Sequence, residues 1–336
     1  MNITLMGAGA WGTALALSLT ERNRVLLWGR NRQTMSDIAA LRENTAYLPG
    51  FPLPSDLAVS SDLGIALDHV APSATNGEGL LIVATSVAGL RPMLERMQRQ
   101  TLPNLIWLCK GFEEETGLLP HQVVRQVLGD DLAIGALSGP SFAQEVARGM
   151  PCALTVASLS PALCERVVSA LHCRTIRIYS SDDVVGVEVG GAVKNILAIA
   201  TGITDGMGLG LNARAALITR GLAEITRLGV ALGGRTETFM GLAGIGDLIL
   251  TCTGDLSRNR QVGLGLAQGK KLDAIVAELG HVAEGARCAQ AVRTLAASLG
   301  VDMPIVNAVA AVLFDGVSAV EMAKRLMARD PRDEVF

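Results

Sequence analysis

The run Gly7-Ala8-Gly9-Ala10-Trp11-Gly12 follows the apolar segment Ile3-Thr4-Leu5-Met6 and opens a helical pattern. Strand, glycine turn and helix in that order commit the start of the chain to a βαβ unit. In such a unit the first glycine makes the tight turn. The second admits a pyrophosphate close to the backbone, and the third lets helix and strand pack. The helix start then offers free amides and a partial positive charge. The glycine spacing alone is a weak signal, and a ligand-free turn is its plain alternative. Its place directly after the first strand makes dinucleotide binding through Gly7, Gly9 and Gly12 the expectation. The next strand ends Leu27-Trp28-Gly29-Arg30-Asn31-Arg32, with no acid for a ribose 2′-hydroxyl. Gly29 leaves room, and Arg30 offers a planar cation to a 2′-phosphate. NADP is therefore favoured over NAD, unless Arg30 and Arg32 are only solvated charges at a helix start.

Short apolar runs recur at residues 3–6, 25–28, 80–84, 105–109, 133–137, 153–157 and 175–178, with helical patterns between them. That alternation predicts a parallel, doubly wound, Rossmann-like α/β sheet. Residues 71–79 are turn-rich and read as a surface loop. From about Ser181 the strand signal stops. Helical patterns follow at 183–200, 213–228, 238–250, 259–267, 272–279, 287–299, 305–314 and 319–327. The expected organisation is an α/β dinucleotide-binding domain over residues 1–181 and an all-α substrate-binding and catalytic domain over 182–336.

Composition narrows the function classes. Hydrophobic residues make up 49% and charged residues 18% of the chain, which calls for a large core and suggests a buried subunit interface. No uncharged apolar stretch reaches the roughly 18 residues of a membrane span, and the N-terminus lacks the basic and cleavage signals of a secretory leader. The net charge of −3, with no basic run and 3% aromatic residues, argues against nucleic-acid binding. The six cysteines form no CxxC pair and the four histidines lack metal-ligand spacing, which predicts a reducing, cytoplasmic setting and no metal.

Lys194 stands in Gly190-Gly191-Ala192-Val193-Lys194-Asn195 and is the only basic residue between Arg177 and Arg214. A lone ammonium in an apolar segment costs free energy unless it is paired or used. It either snorkels to the surface or pairs with Glu188 or Asp205, or else serves proton transfer. The two glycines suggest a close approach, which we expect to be that of substrate and nicotinamide. Lys110 ends a buried strand, where doubly wound sheets bind ligands, and Ser138-Gly139-Pro140-Ser141-Phe142-Ala143 ends another. Asp247, in Gly241-Leu242-Ala243-Gly244-Ile245-Gly246-Asp247, is either a helix cap or a partner for Lys194. Ser257-Arg258-Asn259 is either a solvated helix start or a phosphate-binding set of hydroxyl, guanidinium and amide.

These strings, with Asn212-Ala213-Arg214-Ala215-Ala216 and Ser257-Arg258-Asn259-Arg260, occur in one order along the whole chain. In that order the chain resembles the bacterial NAD(P)-dependent glycerol-3-phosphate dehydrogenases. The resemblance implies reversible reduction of dihydroxyacetone phosphate to sn-glycerol 3-phosphate for phospholipid synthesis, by a cytoplasmic and often dimeric enzyme. It implies that Lys194 is the proton donor and acceptor. Lys110, Gly139, Ser141, Asp247, Ser257, Arg258 and Asn259 would line the substrate site, with Asn195 orienting Lys194 or a substrate hydroxyl. Ala10, Trp11, Arg30, Lys110, Ala143, Arg258, Val282 and Glu284 would contact the cofactor. Three departures stand out: Ala10 where the family often has Ser, Thr85 where it usually has Pro, and a longer 71–79 loop. The nearest rivals are a β-hydroxyacid dehydrogenase, whose carboxylate substrate the Ser257–Asn259 set could bind, and a non-catalytic NADP sensor. The sensor would not need Lys110, Lys194 and Asp247 together.

Overall fold

In the computed structural model, which describes residues 1–280 and 283–327, the chain forms two compact units. The first is Met1–Cys109 with Pro120–Val184, and the second is Lys110–Leu119 with Val185–Phe336. The division is not a single cut near residue 182. The chain gives Lys110–Leu119 to the second unit and then returns to the first. Gly111, at φ +144°, lets it turn away, and Phe112 and Leu119 bury themselves in the second unit's core.

The strands of the first unit are β1 (Asn2–Met6), β2 (Arg24–Trp28), β3 (Glu43–Asn44), β4 (Leu48–Pro52), β5 (Ala58–Ser60), β6 (Leu80–Val83), β7 (Asn104–Trp107), β8 (Ile134–Ser138), β9 (Cys152–Ala157) and β10 (Ile176–Ser181). Eight of them make one sheet in the order β10-β9-β8-β7-β6-β1-β2-β5, while β3 and β4 form a separate hairpin. The order reverses between β1 and β6, so the glycine loop after β1 sits at the switch point where such sheets hold ligands. Inner strands such as β6 are buried at every residue, as a sheet covered on both faces requires. At the edge, β10 instead alternates, with Ile176 and Ile178 buried and Arg177 and Tyr179 exposed.

Within the eight-stranded sheet pairing is parallel except between β8 and β9, which run antiparallel, so that sheet is parallel-dominated rather than wholly parallel. The connection there holds one helix of 5 residues, Ala143–Ala147, which turns the chain back beside its own strand. Residues 71–79 also depart from the expected loop. Pro72–Thr75 forms a short helix closed by Asn76 in the left-handed region.

The second unit is helical. Its axis is a helix of 23 residues, Val184–Gly206, in which every residue from Gly186 to Thr204 is buried. By length and composition this helix could cross a membrane, but its apolar surface is covered by neighbouring helices, as in the core of a large domain. One of those neighbours, Gly210–Ala231, carries Glu224, which is 1% exposed. Its carboxylate accepts the amides of Ile305 at 2.7 Å and Val306 at 3.2 Å. These are first-turn donors of the Pro304–Phe314 helix, whose N-cap Met303 supplies no side-chain acceptor.

Burial pushes the Glu224 carboxyl up to about 7, although both amides and Arg227 favour its charge and only Asp302 opposes it. A carboxyl raised on folding binds its proton more tightly in the folded chain. Its contribution to stability is therefore full below the ordinary carboxylate range and declines as pH rises towards 7. The decline spans about 3 kcal/mol. Denaturation of wild type should show this loss between about pH 4.5 and 7, and Glu224→Gln should decline less steeply there, keeping only the share of the similarly raised Glu284. Parallel stability curves for the two proteins would exclude the assignment.

Candidate active site

Lys194 and Asn195 lie in the buried middle of the Val184–Gly206 helix. Four residues earlier, a Cβ on Gly190 would meet the carbonyl oxygen of Ala243 at 2.5 Å. The close approach that the glycine allows is thus made by protein backbone. The approaching segment is a π-helical turn, Leu242–Gly246, in which Gly244 leaves helical geometry at φ −100° and ψ −105°. The expected single helix over 238–250 is accordingly Thr236–Phe239, this turn, and Asp247–Thr253. Asp247 heads the last piece, where the helix dipole favours an anion, and is 1% exposed.

The turn delivers the Asp247 carboxylate between two ammonium groups. Lys194 Nζ donates to Asp247 Oδ1, and Lys110 Nζ donates to Oδ2 at 2.6 Å. Lys194 Nζ also donates to Thr251 Oγ1 at 2.9 Å, and that hydroxyl donates to the Asp247 carbonyl at 2.6 Å. Burial lowers Lys194 from 10.5 to about 8; Asp247 opposes the shift and the Lys110 charge adds to it. Burial alone would raise the Asp247 carboxyl, but Lys110 and Lys194 outweigh it and hold the group below the usual carboxylate range. The cluster carries two cations on one anion, an arrangement suited to meeting a developing negative charge and giving it a proton.

Ser257, Arg258 and Asn259 begin the helix Arg258–Ala267. Ser257 is buried, and its hydroxyl caps this helix by accepting the amide of Arg260 at 3.3 Å. Arg258, in the first turn, is exposed. Asn259 Nδ2 donates to Asn195 Oδ1 at 3.0 Å, and Asn259 Oδ1 accepts the Gly285 amide at 2.9 Å. Gly285 must be glycine here, since a Cβ would meet the Asn195 carbonyl oxygen at 2.4 Å. Glu284 opens the helix Glu284–Ser298; burial pushes its carboxyl up to about 7 against Arg258, Arg287, Lys110 and Lys194. Val282 lies outside the described residues.

In the first unit, Gly7 has φ +135° and its missing Cβ would meet the Ala84 carbonyl oxygen at 2.6 Å. A Cβ on Gly12 would meet the Gly7 oxygen at 2.0 Å, whereas one on Gly9 would meet nothing within 4 Å. Gly7 and Gly12 thus serve the fold, and Gly9 faces open space. Gly9 is also the N-cap of the helix Ala10–Leu19, with no side-chain cap, and Trp11 is half-buried in its first turn. The buried hydroxyl of Thr85, just past β6, has no hydrogen-bond partner among the described residues. An open glycine, an uncapped helix start and an unsatisfied hydroxyl fit a dinucleotide phosphate.

Arg30 is exposed after β2. Gly29 is not a vacancy beside it, because a Cβ there would meet Met35 Sδ at 2.3 Å. Gly139, at φ +138°, makes the turn after β8, where Ser141 Oγ donates to its carbonyl at 3.2 Å before Ala143 starts a helix.

Two residues of these sites escaped the sequence reading. Thr251 stands one helical turn after Asp247, a spacing legible once the helix break at Gly244 is located. Asn44 is fully buried and clamps the glycine loop, donating to the Ala8 carbonyl at 2.9 Å and to Thr13 Oγ1 at 2.7 Å. Its partners are 36 and 31 residues away, and no local pattern announces it.

Comparisons with known proteins agree along the full length. The family described as "NAD-dependent glycerol-3-phosphate dehydrogenase N-terminus" matches residues 2–164, and its C-terminal counterpart matches 183–324. Glycerol-3-phosphate dehydrogenase NAD(P)+ of Herminiimonas arsenicoxydans is 70% identical over 335 residues, covering 100% of both chains. That of Paucimonas lemoignei is 69% identical over 334 residues, covering 99% of this chain and 98% of its own. The crystal structure of glycerol-3-phosphate dehydrogenase from Coxiella burnetii superimposes with a TM-score of 0.92 at 38% identity, over 97% of this chain and 98% of that one. The chain therefore belongs to the NAD-dependent glycerol-3-phosphate dehydrogenase family.

Proposed function

We propose that the protein reduces dihydroxyacetone phosphate to sn-glycerol 3-phosphate, reversibly, with Lys194 as the proton donor. The observation that carries this reading is the Asp247 carboxylate shared by Lys194 and Lys110. A bound nicotinamide dinucleotide supplies the hydride to the ketone carbon. The ketone oxygen then gains negative charge, and Lys194 gives it a proton. Asp247 and Thr251 fix the direction of the Lys194 ammonium. Lys110 places a second positive charge in the same cluster and keeps Lys194 easier to deprotonate. Arg258 and Asn259, at a helix start, hold the substrate phosphate, and binding that remote group positions the reacting carbon. Asn195 orients Asn259, and Gly139 and Ser141 are assigned to the substrate.

Gly9, Ala10, Trp11 and Ala143 are assigned to the dinucleotide, as are Lys110, Arg258 and Glu284. Arg30 accepts a 2′-phosphate and makes NADP the favoured form. A cytoplasmic homodimer supplying glycerophospholipid synthesis is the setting carried with this reading.

Replacing Lys194 by Ala should lower turnover by about 10³, the usual range of acid–base catalysis, while NADPH binding changes only a fewfold. A coupled NADPH-oxidation assay and a fluorescence titration measure the two, and turnover within a fewfold of wild type would exclude the role. Reduction needs the ammonium and should hold below about pH 8 and decline above it. Oxidation of glycerol 3-phosphate needs the free amine and should rise through the same pH. Arg30→Ala should cut the preference for NADPH over NADH by about tenfold; an unchanged ratio of kcat/KM values would reject Arg30 as the selector.

A further inference from the structure

Asp205 lies in the last turn of the Val184–Gly206 helix, about three turns beyond Lys194. Its side chain is 8% exposed and bridges two arginines. Oδ1 accepts from Arg214 Nε at 2.8 Å, and Oδ2 accepts from Arg260 Nε at 2.8 Å. Arg260 directly follows Arg258 and Asn259 in the helix Arg258–Ala267, and its Nη1 also donates to the exposed Asp255.

The two helices touch backbone to backbone. A Cβ on Gly202 would meet the Arg260 carbonyl oxygen at 2.1 Å, and one on Gly263 would meet the Ile199 oxygen at 2.2 Å. Further along, a Cβ on Gly206 would meet Ala267 Cβ at 2.6 Å. Such a seam lets the helices approach closely, but bare glycine surfaces offer few knobs to resist sliding. The directed pair between Asp205 and Arg260 does resist it. Its register is the one in which Asn259 meets Asn195 at 3.0 Å.

We infer that Asp205 is a positioning residue for substrate phosphate. Held by Arg214 on one side, it pulls on Arg260 with the other and sets where Arg258 and Asn259 stand along the lysine helix. This rests on the reading that Arg258 and Asn259 hold the phosphate, and the experiment separates the two. Steady-state rates are measured on dihydroxyacetone phosphate and on dihydroxyacetone, which lacks the phosphate, for wild type, Asp205→Asn, Arg258→Ala and the double variant, with NADPH binding measured alongside. Arg260→Gln repeats the test through the other partner should Asp205→Asn fail to fold.

Asp205→Asn should raise KM for dihydroxyacetone phosphate about tenfold or more, leaving kcat/KM for dihydroxyacetone within about twofold. In the Arg258→Ala background the same substitution should add less than it does alone, because both act through one phosphate clamp. If Arg258→Ala keeps the preference for the phosphorylated substrate, the phosphate reading fails and takes this inference with it. If Arg258→Ala loses that preference but Asp205→Asn keeps it, only the positioning role is overturned. Equal losses on both substrates, or full additivity in the double variant, also overturn it.

Discussion

One carboxylate shared by two ammonium groups, one buried and one half-buried, sets the terms for the second unit. Asp247 must be ionised to hold Lys110 and Lys194, and each lysine depends on that charge for what it loses in hydration. Around the one carboxylate stand two ammonium groups. Burial makes the Lys194 proton easier to lose and the Lys110 charge adds to this, while Asp247 opposes it, so burial creates the reactive group rather than merely tolerating it. Removing Asp247 would leave two ammonium groups facing each other, a larger disturbance than removing either lysine.

Glycine enables this arrangement in a way that differs from its use in nucleotide loops. Gly190 is where the turn carrying Asp247 presses against the lysine helix, and Gly285 is where the chain passes the Asn195 carbonyl. Both bring polar groups from distant parts of the sequence to one face of a helix that is otherwise apolar. Close backbone packing sets the spacing, and ion pairs and amide hydrogen bonds set the alignment.

The legible parts of the sequence were those whose signal is local. The helix Pro161–Leu171 lies between two apolar runs, where a helical pattern was expected, and its start is marked by Ser160, which caps it, and by Pro161 in its first position. Inner strands declared themselves as apolar runs. The hairpin of β3 and β4 and the edge strand β5 did not, being short and lacking an apolar run. The break at Gly244 was hidden because glycine in an apolar run is equally compatible with a continuous helix. At the site, Lys110, Lys194 and Asp247 were legible as isolated charges in apolar surroundings, though Asp247 also read as a cap, whereas Gly246 is the N-cap and the Asp247 carboxylate goes to the lysines. Thr251 and Asn44 were not legible, since an uncharged side chain gives no sign of a partner far away in sequence.

The excursion of Lys110–Leu119 bears on how the protein is made. This segment leaves the ribosome before most of the second unit exists, yet its side chains belong to that unit's core and its lysine to that unit's ion cluster. The N-terminal half can close its sheet early in synthesis, but this one strap must wait, with Phe112 and Leu119 uncovered, until the C-terminal helices emerge. A gene divided near codon 182 would place Lys110 on one polypeptide and Asp247 on the other, so neither half alone encodes the charge cluster. The joining of the two units is written into the chain path, and not only into the link at residue 184.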